Sequence, residues 1–291
     1  MAASRGFWAK SGKYHPRIGN KVMQMIFRFA IFISLGSLPS ASWAFPYTLT
    51  DVQTANVHEH LPFGLPSTGE LLFRQGYVVS HNNWLKIPNW TAYHLTKEHV
   101  QGNIPRSNDF RPDLSLKTYQ RAELVDYRGS GYDRGHIAPA ADMRYSTTAV
   151  SESFFLSNMT PQVGEGFNQG IWKDIEEMVR DWAKERGEVW VVAGPAFEDT
   201  DRVMSFKLLG PHHVAVPTHF FKIVLSKDAE GTLHVIAFLL PNQKLPTKDL
   251  PKFITTIRDI EEKTGLDFLN ELNDGLEEEL ETKKAPNLYF W

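Results

Sequence analysis

A chain of 291 residues with 42% hydrophobic content can bury a large core, in one large domain or two small ones. It has no cysteine, which excludes disulfides and thiolate metal sites, and a formal charge of −3, which excludes gathering nucleic acid by bulk charge.

The first 44 residues are unlike the rest. Arg5, Lys10, Lys13, Arg17, Lys21 and Arg28 stand there without an acidic residue, followed by the apolar run 29–38 and by Ser42-Trp43-Ala44. A basic region, an apolar stretch and a small-x-small site read as a secretory signal, so the expected organisation is a signal segment over 1–44 and one domain over 45–291. The run is too short to be a stable membrane span. A start at Met23 or Met25 would give a more ordinary signal length. The expected location is secreted or periplasmic. A mitochondrial transit peptide is the alternative, because the segment is acid-free and contains Ser and Arg, although its unbroken apolarity is not amphipathic. Removing these six of the 31 basic residues and none of the 34 acidic ones leaves 25 against 34, a net charge of −9. Nucleic-acid binding would then need a local basic groove, for which Arg106, Arg111, Arg121, Arg128, Arg134 and Arg144 are candidates.

From Phe45 onward there is no long linker, low-complexity tract or repeat. His58-Glu59-His60 resembles a metal site only superficially, since two imidazoles two residues apart share a strand face only if both point away from the core. Residues 76–81 and 90–95 have the β-branched and aromatic content of two strands, with Asn82-Asn83 as a turn signal between them. Residues 104–113 are polar, proline-punctuated and aperiodic, which predicts a loop.

Asp133-Arg134-Gly135-His136 then places a carboxylate, a guanidinium and an imidazole around a glycine. Histidine can take a proton from water near neutral pH, and arginine offers a planar fork of donors for phosphate oxygens. Gly135 is expected to supply a turn that aims His136 away from its strand. Ser157-Asn158-Met159-Thr160-Pro161-Gln162 follows. Residues 168–186 predict a helix, because Ile171, Trp172, Ile175, Met178, Val179, Trp182 and Ala183 recur at the helical period. Asn168 falls within that apolar stripe and Glu176 at its edge. A buried amide needs a polar partner, either a core hydrogen bond or a metal ion. In an unbroken helix the two lie ~12 Å apart along the axis, so Glu176 would act on the same ion through a metal-bound water.

Residues 188–194, 219–225 and 233–240 read as core strands. His212-His213 reads as solvated loop. Residues 254–284 predict a charged surface helix, followed by the apolar end 287–291.

The ordered set Asp133-Arg134-Gly135-His136, Ser157 to Gln162, Asn168-Gln169-Gly170-Ile171-Trp172 and Glu176 resembles the DNA/RNA non-specific endonucleases. These are the ββα-metal or His-Me finger nucleases that include endonuclease G, and the likeness runs from about His58 to Gln243. It implies an α+β fold, an antiparallel β-sheet core with packed helices carrying a ββα-metal site. It further implies Mg²⁺, with Mn²⁺ as a substitute, held by Asn168 and by waters that Glu176 retains. His136 would be the general base for hydrolysis of DNA and RNA with little sequence preference, leaving 5′-phosphate ends. Arg106 matches the arginine that contacts the phosphate, with Arg111 close enough to compete, and Asp133, Arg134 and Asn158 would shape the site. DNA and RNA are the expected partners. The oligomeric state, including a homodimer, and any inhibitor protein stay open. Two other classes remain: a metal-dependent phosphodiesterase or phospholipase acting on non-nucleic substrates, and a non-catalytic nucleic-acid-binding protein.

Overall fold

Successive side chains of a strand point to opposite faces, and the long strands of this chain are apolar at both. The reason is visible in the computed structural model, which describes residues 48–291 except 68, 201, 202 and 205: helices cover both faces of a seven-stranded antiparallel sheet. The secretory reading of residues 1–44 lies outside the described residues.

The main sheet has the order β1-β2-β3-β6-β11-β12-β13, formed by β1 (Glu70–Phe73), β2 (Val78–Asn82), β3 (Ile87–Thr96), β6 (Glu188–Ala196), β11 (His219–Lys227), β12 (Leu233–Pro241) and β13 (Ile254–Thr255). β4 (Asp133–His136) and β5 (Met159–Gln162) form a separate two-stranded ribbon. Two more ribbons join β7 (Asp199–Thr200) to β8 (Val203–Met204) and β9 (Leu208–Leu209) to β10 (Val214–Ala215). The chain thus has the expected α+β architecture, and β2 and β3 pair antiparallel across the Asn82-Asn83 turn.

The two faces of the sheet have different covers. On β6, Val189, Val191 and Ala193 pack toward the long helix Trp172–Arg186, while Trp190 and Val192 pack toward the helices Asp51–His60, Ile257–Thr264 and Asp274–Thr282. β11 continues the alternation, with Phe220 and Val224 on the first side and Phe221, Ile223 and Leu225 on the second. These four helices are α5, α1, α6 and α7 in chain order; α2 (Lys97–Val100), α3 (Leu124–Tyr127) and α4 (Thr147–Ser153) are single-turn or two-turn connections.

Several local expectations are corrected. His58-Glu59-His60 ends helix α1, capped at its start by Thr50, and is not in a strand. His60 is buried, with Nδ1 accepting the backbone N–H of His94 at 3.1 Å. His212 is tied down instead of solvated: Asp126 takes its backbone N–H at 2.9 Å and faces its Nδ1 at 3.0 Å. The acidic tail is not one helix. Gly265 ends α6 in the left-handed conformation at φ 69°, and Phe268 and Leu269 then bury against the sheet before Asn273 caps α7. The apolar end also has a place, since Trp291 packs edge-on against Trp182 at 4.9 Å and under the Arg186 guanidinium at 3.9 Å.

Candidate active site

Strand β4 delivers Asp133, Arg134 and His136 to one wall of a cleft of about 400 Å³. Its pairing with β5 matches Asp133 to Gln162, Gly135 to Thr160 and His136 to Met159. Gly135 serves this pairing and not a turn, because it lies within the strand and a Cβ there would overlap the fully buried Gln162 side chain. The expected turn is therefore replaced by a close approach between two strands, which only a glycine permits.

His136 is buried, 8% exposed, between the edges of Phe110 at 5.6 Å and Phe154 at 5.0 Å. Burial, reinforced by the Arg106 and Arg134 charges, lowers its pKa to about 3. The imidazole is thus neutral at physiological pH, as a proton acceptor must be. Its Nε2 makes no hydrogen bond among the described residues. The same aromatic pair seats the arginines: Arg134 stacks on Phe110 at 4.1 Å and Arg106 on Phe154 at 4.8 Å.

The opposite wall comes from residues 164–186. The predicted helix starts late, because Asn168 N–H reaches back five residues to Val163 O at 2.9 Å and Gly166 turns at φ 78°. Gly170 is also non-helical, and α5 proper runs Trp172–Arg186. Such a π-type turn re-aims the side chains that follow it. The straight-helix spacing of ~12 Å therefore does not apply, and Asn168 and Glu176 both line the cleft.

Asp133 accepts hydrogen bonds from Asn168 Nδ2 at 2.8 Å and Gln169 Nε2 at 2.7 Å. An amide facing a carboxylate must present its NH₂, which leaves Oδ1 of Asn168 as the atom available to a ligand. Glu176 is half-buried, and burial pushes its carboxyl up to about 7 against the opposing field of Lys222. An amide oxygen and one carboxylate fit a hard cation that keeps most of its waters, as Mg²⁺ prefers. They are fewer than the three or four protein ligands, chiefly imidazole and thiolate, that hold zinc.

Asn158 stands behind the cleft. Its Nδ2 donates to Ala138 O at 2.8 Å and Ser153 O at 2.9 Å, and its Oδ1 accepts from Ala138 N at 3.0 Å. It fixes the chain that leaves His136. Of the six groove arginines, Arg106 and Arg134 line the cleft. Arg111 instead bonds Asp109 and Ser151 and stacks on Phe155, and it does not line the cleft as Arg106 does. Arg121 is paired with Glu123, and Arg144 bonds Ile104 O. Lys173, Arg180 and Gln169 also line the cleft, as do Phe110 and the Pro139-Ala140-Ala141 turn. Arg180 lies one helical turn past Glu176, a spacing from which it could have been found. The aromatic pair has no such signal, because Phe154 beside Phe155 and Leu156 reads as core and Phe110 is a lone aromatic in a polar loop.

The model of the DNA/RNA non-specific endonuclease family matches residues 56–275. Nuclease C1 of Cunninghamella echinulata var. echinulata is 37% identical over 228 residues, which is 75% of this chain and 90% of that protein. Human endonuclease G, described as mitochondrial, is 36% identical over 214 residues, 71% of this chain and 72% of its own. A crystal structure of an EndoG/EndoGI complex, concerned with the mechanism of EndoG inhibition, superposes with a TM-score of 0.72 at 34% identity, covering 75% of this chain and 93% of the other.

Proposed function

The chain belongs to the DNA/RNA non-specific endonuclease family and is a phosphodiester hydrolase, and we propose that it cuts DNA and RNA with Mg²⁺ through His136 as general base. The observation that carries this is a neutral, unbonded His136 Nε2 in an arginine-lined cleft that also presents the free oxygen of Asn168.

Arg106 and Arg134, held on their phenylalanines, would grip non-bridging phosphate oxygens. His136 would accept the proton of the attacking water. Asp133 would keep the Asn168 amide turned so that its oxygen faces the ion, and Glu176 would orient bound waters. When bound, Mg²⁺ would supply positive charge to the phosphate and to the departing 3′-oxygen, leaving a 5′-phosphate. A non-catalytic binding protein would not need the proton acceptor and the cation site together.

Digestion of supercoiled DNA and structured RNA by residues 45–291, with Mg²⁺ or EDTA, tests the reading. Both polymers should be degraded with Mg²⁺ and neither with EDTA. Full activity in EDTA would reject the metal-dependent mechanism, and hydrolysis confined to small diesters or phospholipids would reject the substrate. Mn²⁺ should substitute.

The leader is read as an address that takes residues 45–291 across a membrane. Human endonuclease G and nuclease 1 of Schizosaccharomyces pombe, both described as mitochondrial, support the transit alternative, and neither supports secretion. Fractionation with N-terminal sequencing decides between them. The EndoG/EndoGI complex likewise supports an inhibitory protein as a partner, which a pull-down with an EndoGI-type protein would test.

A further inference from the structure

Lys222 lies in the middle of β11 and is fully buried, between Phe220 and Val224 on the face that α5 covers. Its Nζ sits 4.4 Å from the centre of the Trp172 ring and makes no hydrogen bond among the described residues. A buried ammonium is costly unless an opposite charge offsets it. The ring supplies part of that offset.

The row of side chains above it supplies the rest. Trp172, Glu176 and Arg180 stand at i, i+4 and i+8 of α5, so they share one stripe of the helix. At the far end Arg180 Nη1 bonds Asp142 Oδ1 at 2.7 Å, and Asp142 is fully buried. Lys222 under Trp172 marks the near end. Two carboxylates and two cations lie in one row, and with Asp142 bonded to Arg180, Glu176 is left to face Lys222. We propose that Lys222 is the buried counter-charge of Glu176, a positioning residue that seats this carboxylate at the wall of the cleft from below. Burial alone would raise the Glu176 pKa, and Lys222 is the largest influence opposing it.

The proposal rests on the role given to Glu176, yet the pair can be read in metal-free protein whether or not Glu176 serves catalysis. Lys222→Met keeps the aliphatic stem over Trp172 and removes the charge, while Glu176→Gln removes the carboxylate. Thermal unfolding in EDTA would be measured at about pH 8, above the range in which Glu176 takes up its proton, for wild type, both single variants and the double variant. Each single change should lower Tm by about 5 °C or more, because it strands a buried charge. The double variant, which leaves the Asp142–Arg180 pair intact, should lie nearer wild type than the sum of the two losses. Additive losses would overturn the proposal. Should Lys222→Met not fold alone, cooperative unfolding of the double variant supports the pair, and failure of the double variant to fold overturns it.

A second measurement separates positioning from mere packing. Lys222→Met should raise the Mg²⁺ needed for half-maximal cleavage by about tenfold, the order found when a partner of a metal's surroundings is removed. DNA binding measured in EDTA should stay unchanged, and in the Glu176→Gln background Lys222→Met should add no further Mg²⁺ shift. An equal shift in both backgrounds would show that Lys222 does not act through Glu176.

Discussion

Trp172 donates its indole N–H to the backbone oxygen of His136 at 3.3 Å, so the helix that carries Glu176 and the strand that carries the imidazole share a buried bond. The two walls of the cleft are thereby held in a fixed relation. The indole makes this bond while its ring covers Lys222.

His136→Ala should lower turnover by about 10²- to 10⁴-fold, the usual loss when a general base is removed. The arginines and Asn168 stay in place, so nucleic acid should still bind. A Mg²⁺ titration is the check: recovery of activity at high Mg²⁺ would make His136 a ligand or bystander.

Asn168→Ala should behave differently, shifting the activity curve to higher Mg²⁺. Asp133→Asn should produce a weaker shift of the same kind, since a neutral amide would no longer dictate which end of Asn168 faces the cleft. Glu176→Ala should also be the milder partner, because its part is played through water. Equal turnover by Asn168→Ala and wild type at limiting Mg²⁺ would contradict the assignment.

Asn158→Ala should destabilise the fold by about 3 kcal/mol or more, since it strands the Ala138 N–H and the oxygens of Ala138 and Ser153 in a dry interior. Urea unfolding measures this directly. Any loss of activity should follow the loss of folded protein near the midpoint and a loosened His136 below it.

Stability in EDTA should respond to pH through two groups of opposite sign. The Glu176 carboxyl, raised to about 7 by burial, binds its proton in the folded state where the unfolded chain has already released it, so stability falls as pH rises from about 4.5 to about 7. His136, lowered to about 3 by burial and the two arginines, stays neutral where the unfolded chain protonates, so stability falls as pH drops from about 6.5 toward 3. Tm profiles of Glu176→Gln and His136→Gln against wild type isolate each contribution. A difference profile that is flat over the relevant window would show that the group is not perturbed.

Much of this arrangement is legible in the sequence because it rests on periodicity and on residue chemistry. The apolar strands, the Trp172–Arg186 helix and the polar placing of Asn168 and Glu176 along it come from those signals, whereas Arg106 and its grouping with His136 come from the family resemblance. What escapes them depends on backbone detail and on partners distant in sequence. The late start of α5 follows from Gly166 and Gly170, which a helical periodicity passes over. The need for Gly135 lies in Gln162, twenty-seven positions away and across a strand pair. The burial of Leu269 inside an acidic tail is set by the sheet it covers, and the charged residues around it hide that in the sequence.

The charge of residues 45–291 has a kinetic meaning. Outside the cleft, Arg74, Arg111, Arg121 and Arg258 are each tied to carboxylates, and the sum of 25 basic against 34 acidic residues is negative. A polyanion meets attraction at the slot, while the net negative sum opposes its staying bound elsewhere. Each cut is therefore expected to be a separate encounter, with the enzyme leaving the strand before it returns. Fragment lengths in an early digest should shrink evenly across the whole population, with no molecules consumed to short pieces while others stay intact.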